Sequence, residues 1–550
     1  MALWQVRNFG GTQPATHPWD LPDPAAQAAI DCQIKSGRLE PLPARNTLAT
    51  GLAIGVEILY KHATGAWLYF SDAYRVVKGA VFNDDLDHIY YTDNTAEARY
   101  SYTGLVATQS DRPLGVPAPS TAPSVVVNGD SDPADIPDSR VYLFTYVVQD
   151  ASLIMEGAPS PPSAVVDVYP GQSCEVTLPA VENYGNPDHA KVRIYRSVSG
   201  EYLFVAERAA TIGMSVIFTD TLSGDALAEP LPTLDYATPP DKLDGLTAMA
   251  NGVMAGFVGQ DIYFSEPYLP HAWPVGYSQS VDAEIVALAA FGSSLIVLTT
   301  DKPYQIMGTH PSTMAMNALD VPQACVSRRS VVEGAGGVIY ASPDGLFLMG
   351  AAAPVNLLEG VIDSREWRYL KPETLLGVVY EGRYFGFFDT GSVNSWVEKQ
   401  LGVGETRGCF ILDLATRSLT WSTLWVYAAL YESEEDTLYL HDYSGDLVEW
   451  VPDNAPANAF TWRSKRFYSS VAHNMGAARV EALGYTDVTF TLYGDGVERY
   501  TYAVPDSAAF RLPSGYRAQE WELVVQSTTP VEAVYIASSM SELVESRRRG

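Results

Sequence analysis

Carboxylates dominate the polar side chains of this chain. There are 65 Asp and Glu against 35 Lys and Arg, with eight scattered His. Abundant carboxylates suggest glycoside cleavage first, which takes two carboxyl groups about 5–10 Å apart. Glu266 and Asp344 are candidates for such a pair, but sequence sets no distance between them. His271 stands in a proline loop, where packing or hydrogen bonding is expected rather than proton transfer. Asp130, Asp132, Asp135 and Asp138 crowd one segment. They lack the glycine and closing glutamate of a calcium loop, so a solvated turn is expected. Cys32, Cys174, Cys325 and Cys409 lie far apart with no C-x-x-C pair, which excludes a zinc ribbon and leaves reduced buried thiols. There is no G-x-x-x-x-G-K-[ST], no G-x-S-x-G and no H-E-x-x-H. Gly334-Ala-Gly-Gly337 precedes a strand rather than a helix and reads as a turn. No catalytic, cofactor-binding or metal-binding residue is assigned, and the expectation is a protein that is not an enzyme and uses no cofactor.

The stretch that organises the chain is Asp261-Ile-Tyr-Phe-Ser-Glu-Pro-Tyr-Leu-Pro-His-Ala-Trp-Pro274. Ile262, Tyr263 and Phe264 suit a pleated sheet. Pro267, Pro270 and Pro274 then stop the strand, because proline donates nothing to a ladder. Pro267, Tyr268, Pro270, His271, Trp273 and Pro274 are the candidate subunit-interface residues, since a stiff aromatic loop loses little entropy on docking. The competing fate for Trp273 is to plug its own blade.

At 550 residues the chain exceeds one core. Plentiful Gly and Pro between many short apolar runs point to an all-β, multidomain protein. The expected architecture is a β-propeller-like core with an inserted immunoglobulin- or fibronectin III-like sandwich and a C-terminal β-sandwich. Net charge is −30, which opposes adsorption to nucleic acid and favours solubility. No run nears eighteen apolar residues and the first residues carry no signal-like segment, so no membrane span and cytoplasmic synthesis are expected.

Residues 1–45 read as an N-terminal extended arm with an alanine-rich helical turn at Ala25 to Ile34, draped over another part of the chain or a neighbouring subunit. Residues 46–115 hold the first blades, where His88-Ile-Tyr-Tyr-Thr-Asp93 matches Asp261-Ile-Tyr-Phe-Ser-Glu266 in type and reads as its equivalent. Residues 116–240 hold a proline-rich linker and the inserted sandwich, with period-two alternation in Val192-Arg-Ile-Tyr-Arg196. Residues 241–455 resume the blades at roughly forty- to fifty-residue spacing. Residues 456–541 form the C-terminal sandwich, with a hairpin at Asp495-Gly496, and 542–550 are a basic tail ending in Arg547-Arg-Arg549.

Two resemblances add to this. Thr145-Tyr146, Arg193-Ile-Tyr-Arg196 and Phe218-Thr-Asp220 look like a fibronectin type III-like or immunoglobulin-like module. Ser342-Pro-Asp-Gly345 is faintly similar to the Asp-box of sialidases, though its glycine follows the aspartate directly and the downstream aromatic is misplaced. The order of Ala25 to Leu42, the R-I-Y-R module, Leu246 to Gly256, F-S-E-P-Y-x-P-H-A-W-P, Gln323 to Arg329, Tyr340 to Leu346 and Phe510 to Gly515 resembles the tail nozzle (tail tubular B-type) proteins of short-tailed bacteriophages. The resemblance implies a virion tail location and a homo-oligomeric ring, usually a hexamer, below the portal and adaptor. It also implies fibre attachment and passage of double-stranded DNA without specific binding. The alternatives are a carbohydrate-binding or glycosidase propeller on the virion, and a fibre or hub protein of a longer-tailed phage.

Overall fold

The computed structural model describes all residues except 1–2, 72–73, 81–83, 96, 133, 151–152, 187–188, 228, 320, 335, 351–352, 452–457 and 544–550. Arg547 to Arg549 and most of the expected basic tail lie outside the described residues. The protein is all-β, with β-propeller-type sheets and two β-sandwiches. It divides into two compact units. One comprises Met1–Leu59, Tyr69–Asp72 and Val321–Gly550; the other comprises Tyr60–Leu68 and Ala73–Asp320.

In the second unit, three four-stranded antiparallel sheets have the form of propeller blades. They are Arg75–Lys78 to Arg112–Pro113, Asp244–Ala248 to Ser278–Ser280, and Ile285–Phe291 to Ala315–Ala318. Ser294–Thr299 is buried along nearly its whole length, as its unbroken apolar run requires. Ile89–Thr92 is the second strand of its sheet, whereas Asp261–Phe264 is the third of its own. The expected equivalence of these two stretches is therefore corrected. Their shared pattern records burial and a polar exit, which two different places in a blade both demand.

The inserted sandwich lies between the first and second of these blades. A sheet of Ser124–Asn128, Ser173–Leu178 and Val216–Asp220 is accompanied by one of Leu153–Glu156, Tyr142–Asp150, His189–Val198 and Glu201–Ala209. Ser173–Leu178 alternates cleanly, with Cys174, Val176 and Leu178 inward, and meets Phe144, Val192 and Ile194 in one apolar core. The expected linker thus already contains the first sandwich strand, Ser124–Asn128.

In the first unit, the sheet Val332–Gly334 to Val355–Asn356 repeats the blade pattern; the strands Leu376–Tyr380 to Leu419–Ser422 do so too, but continue through Ala26–Ile30 into the C-terminal strands as one ten-stranded sheet. A further sheet of Val426–Glu432, Thr437–Asp442 and Leu447–Val451 takes its fourth strand from Ala44–Ala49. The expected boundary between the arm (1–45) and the first blades (46–115) falls inside this strand; pairing with Leu447–Val451 places it in the last blade instead. The C-terminal sandwich likewise recruits the arm. Leu3–Val6 pairs with Val531–Ala537, and Ala26–Ile30 pairs with Phe460–Ser464. The helical turn expected at Ala25 to Ile34 is instead the strands Ala26–Ile30 and Cys32–Lys35, separated by Asp31 at φ 54°. Alanine's helix propensity is a weak preference, and ladder pairing plus burial of Ala26, Ala29 and Cys32 overrides it. The arm therefore drapes over its own chain, supplying Phe9, Cys32 and Leu39 to a core with Trp462 and Trp521.

Candidate functional site

The proline loop begins where Asp261–Phe264 ends. Ser265 Oγ accepts the Met254 backbone N–H at 2.8 Å, and the Glu266 N–H donates to the Ala272 carbonyl at 2.8 Å, closing the loop on itself. Tyr268 adopts φ 60° and its N–H donates to the Gly252 carbonyl. A Cβ on Gly252 would stand 2.5 Å from the Tyr268 ring, so the glycine is required there. The Trp273 indole N–H donates to the Pro270 carbonyl at 2.8 Å, and its backbone N–H to the Ala237 carbonyl at 3.0 Å.

Four of the six candidate interface residues, Pro270, His271, Trp273 and Pro274, are buried. Trp273 is 3% exposed and joins a core with Leu243, Leu246 and Met254, so it plugs its own chain rather than presenting an anchor. Pro267 is half-buried, and Tyr268, at 52%, is the exposed member. His271 stacks edge-on to Tyr236 and hydrogen-bonds the Glu156 backbone. Burial pushes its pKa down to about 4, so the ring is neutral at pH 7.

Beside this loop an open cleft of about 730 Å³ is lined by Asp235, Tyr236, Glu266, Pro274 and Tyr277, with Leu234 and Val275 exposed on its walls. The Tyr277 phenol lies beside Glu266, and His310 Nε2 stands 3.5 Å from Glu266 Oε1. Burial, then the neighbouring Glu266 charge, raises Tyr236 to about 12, and the Tyr277 phenol rises as well. Both therefore remain protonated donors at neutral pH. No lysine or arginine among the described residues pairs with Asp235 or Glu266. A second cleft, of about 560 Å³, follows the recruited strand Ala44–Ala49 and is lined in part by Asp31, Arg45, Asn46 and Trp450.

Glu266 and Asp344 fall in different compact units. Asp344 occupies the tight turn between Gly337–Ser342 and Gly345–Met349, where Arg368 Nη2 meets its Oδ1 at 3.0 Å. A Cβ on Gly345 would press into the Asn356 side chain, and the Trp367 indole donates to the Ser342 carbonyl at 2.8 Å. Ser342-Pro-Asp-Gly345 is thus a braced hairpin turn. In the acidic segment at 130–138, Asp132 accepts the Ala134 N–H and Asp138 pairs with Arg140 at 2.8 Å. Among the described residues no group of three or more His, Cys, Asp or Glu is placed to hold a metal ion. All four cysteines are buried and free. No helix among the described residues is long and apolar enough to cross a membrane.

The sandwich hides two polar networks. Arg196 Nη1 donates to Asp220 Oδ2 at 2.6 Å, and the Tyr142 hydroxyl donates to the same oxygen at 2.7 Å. Glu156 accepts from Thr145, Tyr195 and Arg193 at 2.6–2.7 Å. Among the residues that carry the immunoglobulin-like resemblance, Arg196 bonds Asp220, while Thr145, Arg193 and Tyr195 share Glu156. Period-two alternation signals that Arg193 and Arg196 face opposite ways; the carboxylates they meet are too remote in sequence to be paired by spacing.

No family model matches the chain, and no curated protein does. Solved structures with similar features include the N-terminal domain of Nup159, at 9% identity and TM-score 0.24, covering 63% of this chain and 83% of that one. The AfRom2 CNH domain is 10% identical at TM-score 0.27, covering 75% and 100%. PorZ, a surface component of the type-IX secretion system of Porphyromonas gingivalis, is 10% identical at TM-score 0.27, covering 88% and 77%. Likeness at this level carries no functional inference.

Proposed function

We propose that this chain is a structural, non-enzymatic subunit of the tail nozzle ring of a short-tailed phage, forming an acidic conduit for genome ejection and a platform for fibres. The observation that carries the reading is how charge is spent. Buried or half-buried arginines are neutralised within the chain: Arg196 by Asp220, Arg193 by Glu156 and Glu207, Arg463 and Arg466 by Glu522. The net −30 is the excess of 65 acidic over 35 basic side chains. Attraction between wall and DNA would act as friction during ejection. An acidic wall repels phosphates within a Debye length of about 8 Å at physiological salt. The order of turn motifs along nearly the whole sequence supports the same family. Six copies in a ring would carry six times that net charge.

Native mass measurement with electron microscopy of the purified protein tests the proposal. A ring of six 59.8 kDa copies with a carboxylate-rich lumen is the expected result. A lone subunit that cleaves glycans, or a ring with a basic lumen, would overturn it.

A further inference from the structure

The cleft beside the proline loop combines three features that converge on one ligand chemistry. Its charge is negative: Asp235 and Glu266 both line it, and among the described residues Glu266 pairs with no lysine or arginine, only the His310 imidazole at 3.5 Å. The Glu266 side chain is 23% exposed, with the Tyr277 phenol beside it. A part-buried carboxylate with no lysine or arginine partner among the described residues keeps its field for a ligand. Second, Tyr236 and Tyr277 bring two aromatic rings beside these carboxylates, and ring faces attract cations electrostatically. Third, Leu234 and Val275, 58% and 77% exposed, give the cleft apolar walls suited to a methylene stem. At about 730 Å³ the space holds a long side chain with room to spare.

We infer that this cleft receives a basic side chain, a guanidinium or ammonium with its aliphatic stem, projected by a partner protein. Glu266 and Asp235 supply charge, the two tyrosines supply ring faces, and the Leu234 and Val275 walls cover the stem. The inference stands on the cleft itself and does not need the nozzle reading. A neutral sugar is the competing occupant, because tyrosines and carboxylates also bind hydroxyls.

The test uses the full chain and ligand-observed NMR titration with Nα-acetyl-arginine amide, Nα-acetyl-lysine amide, the neutral Nα-acetyl-norleucine amide and glucose. Saturable binding of a cationic amide is expected, at least tenfold tighter than the norleucine amide, and the two cations rank guanidinium against ammonium. Glu266→Gln, close to isosteric, should weaken cation binding at least tenfold with an unchanged melting temperature. Asp235→Asn gives an independent second reading should Glu266→Gln disturb the loop. Binding of glucose but neither cation would overturn the inference. Equal binding of norleucine amide, absence of any binding, or cation affinity indifferent to both substitutions would also overturn it.

Discussion

Arg196 and Asp220 form an ion pair with both side chains fully buried, Nη1 to Oδ2 at 2.6 Å. The pair sits inside the inserted sandwich, where Tyr142 and the Leu222 N–H complete the carboxylate's hydrogen bonds. Arg196→Leu removes the nearest cation of a buried carboxylate and leaves it only Arg140, whose Nη1 stands 3.8 Å from Oδ2, so a loss of about 3 kcal/mol is expected. Replacing Asp220 as well should recover part of it, because the charge left behind is the main penalty. Chemical denaturation of the single and double variants measures this, and equal stabilities of the two would contradict it.

Trp273 and Tyr268 lie five residues apart and predict opposite phenotypes. Trp273→Ala opens a cavity in the core and should cost about 3–5 kcal/mol, seen as insoluble or low-melting protein. Tyr268→Gly removes an exposed ring at φ 60°, a conformation glycine adopts freely, so the melting temperature should hold or rise. If Tyr268 is a subunit contact, the glycine variant stays folded but fails to assemble, as size measurement at matched concentration would reveal.

His271 should make folding acid-sensitive. Its pKa falls to about 4 in the folded chain and is near 6.5 when unfolded. Above pH 6.5 both states hold it neutral and nothing is lost. Below that, the unfolded chain takes a proton the folded chain refuses, so stability declines between pH 6.5 and 4 by about 3 kcal/mol. Denaturant titrations at pH 7, 5.5 and 4.5 should show a shallower decline for His271→Gln; parallel slopes would refute the assignment.

Removing residues 1–43 should abolish soluble folding of the first unit. Cys32 and Leu39 are fully buried against Trp462 and Trp521, and Leu3–Val6 completes the edge of Val531–Ala537. Recovery of a soluble, cooperatively melting truncated chain would show that the arm is dispensable.

Much of the fold was legible because β-branched and aromatic runs end in proline or glycine. Asp495-Gly496 forms the expected hairpin, with both residues at positive φ. Ala44–Ala49 is not legible as a last-blade strand because Ala-Arg-Asn-Thr-Leu-Ala has no apolar alternation; its partner Leu447–Val451 sets its position. Ala26–Ile30 was misread because alanine suits a helix as readily as a tightly packed strand. The cleft escaped notice because Tyr236 and Glu266 stand thirty residues apart in sequence and meet only when the loop folds back. Glu266 itself was singled out, but as half of a catalytic pair with Asp344, which the structure places in another unit.

The recruited strand Ala44–Ala49 has a consequence for biosynthesis. Its partner, Leu447–Val451, is translated roughly 400 residues later. At about 5–20 residues per second the waiting time is on the order of 20–80 s. Through that interval the strand's backbone groups face the crowded ribosome exit with no ladder to join. Its exposed, mostly polar side chains suit such a wait, since an apolar edge held open that long would invite pairing with nascent neighbours.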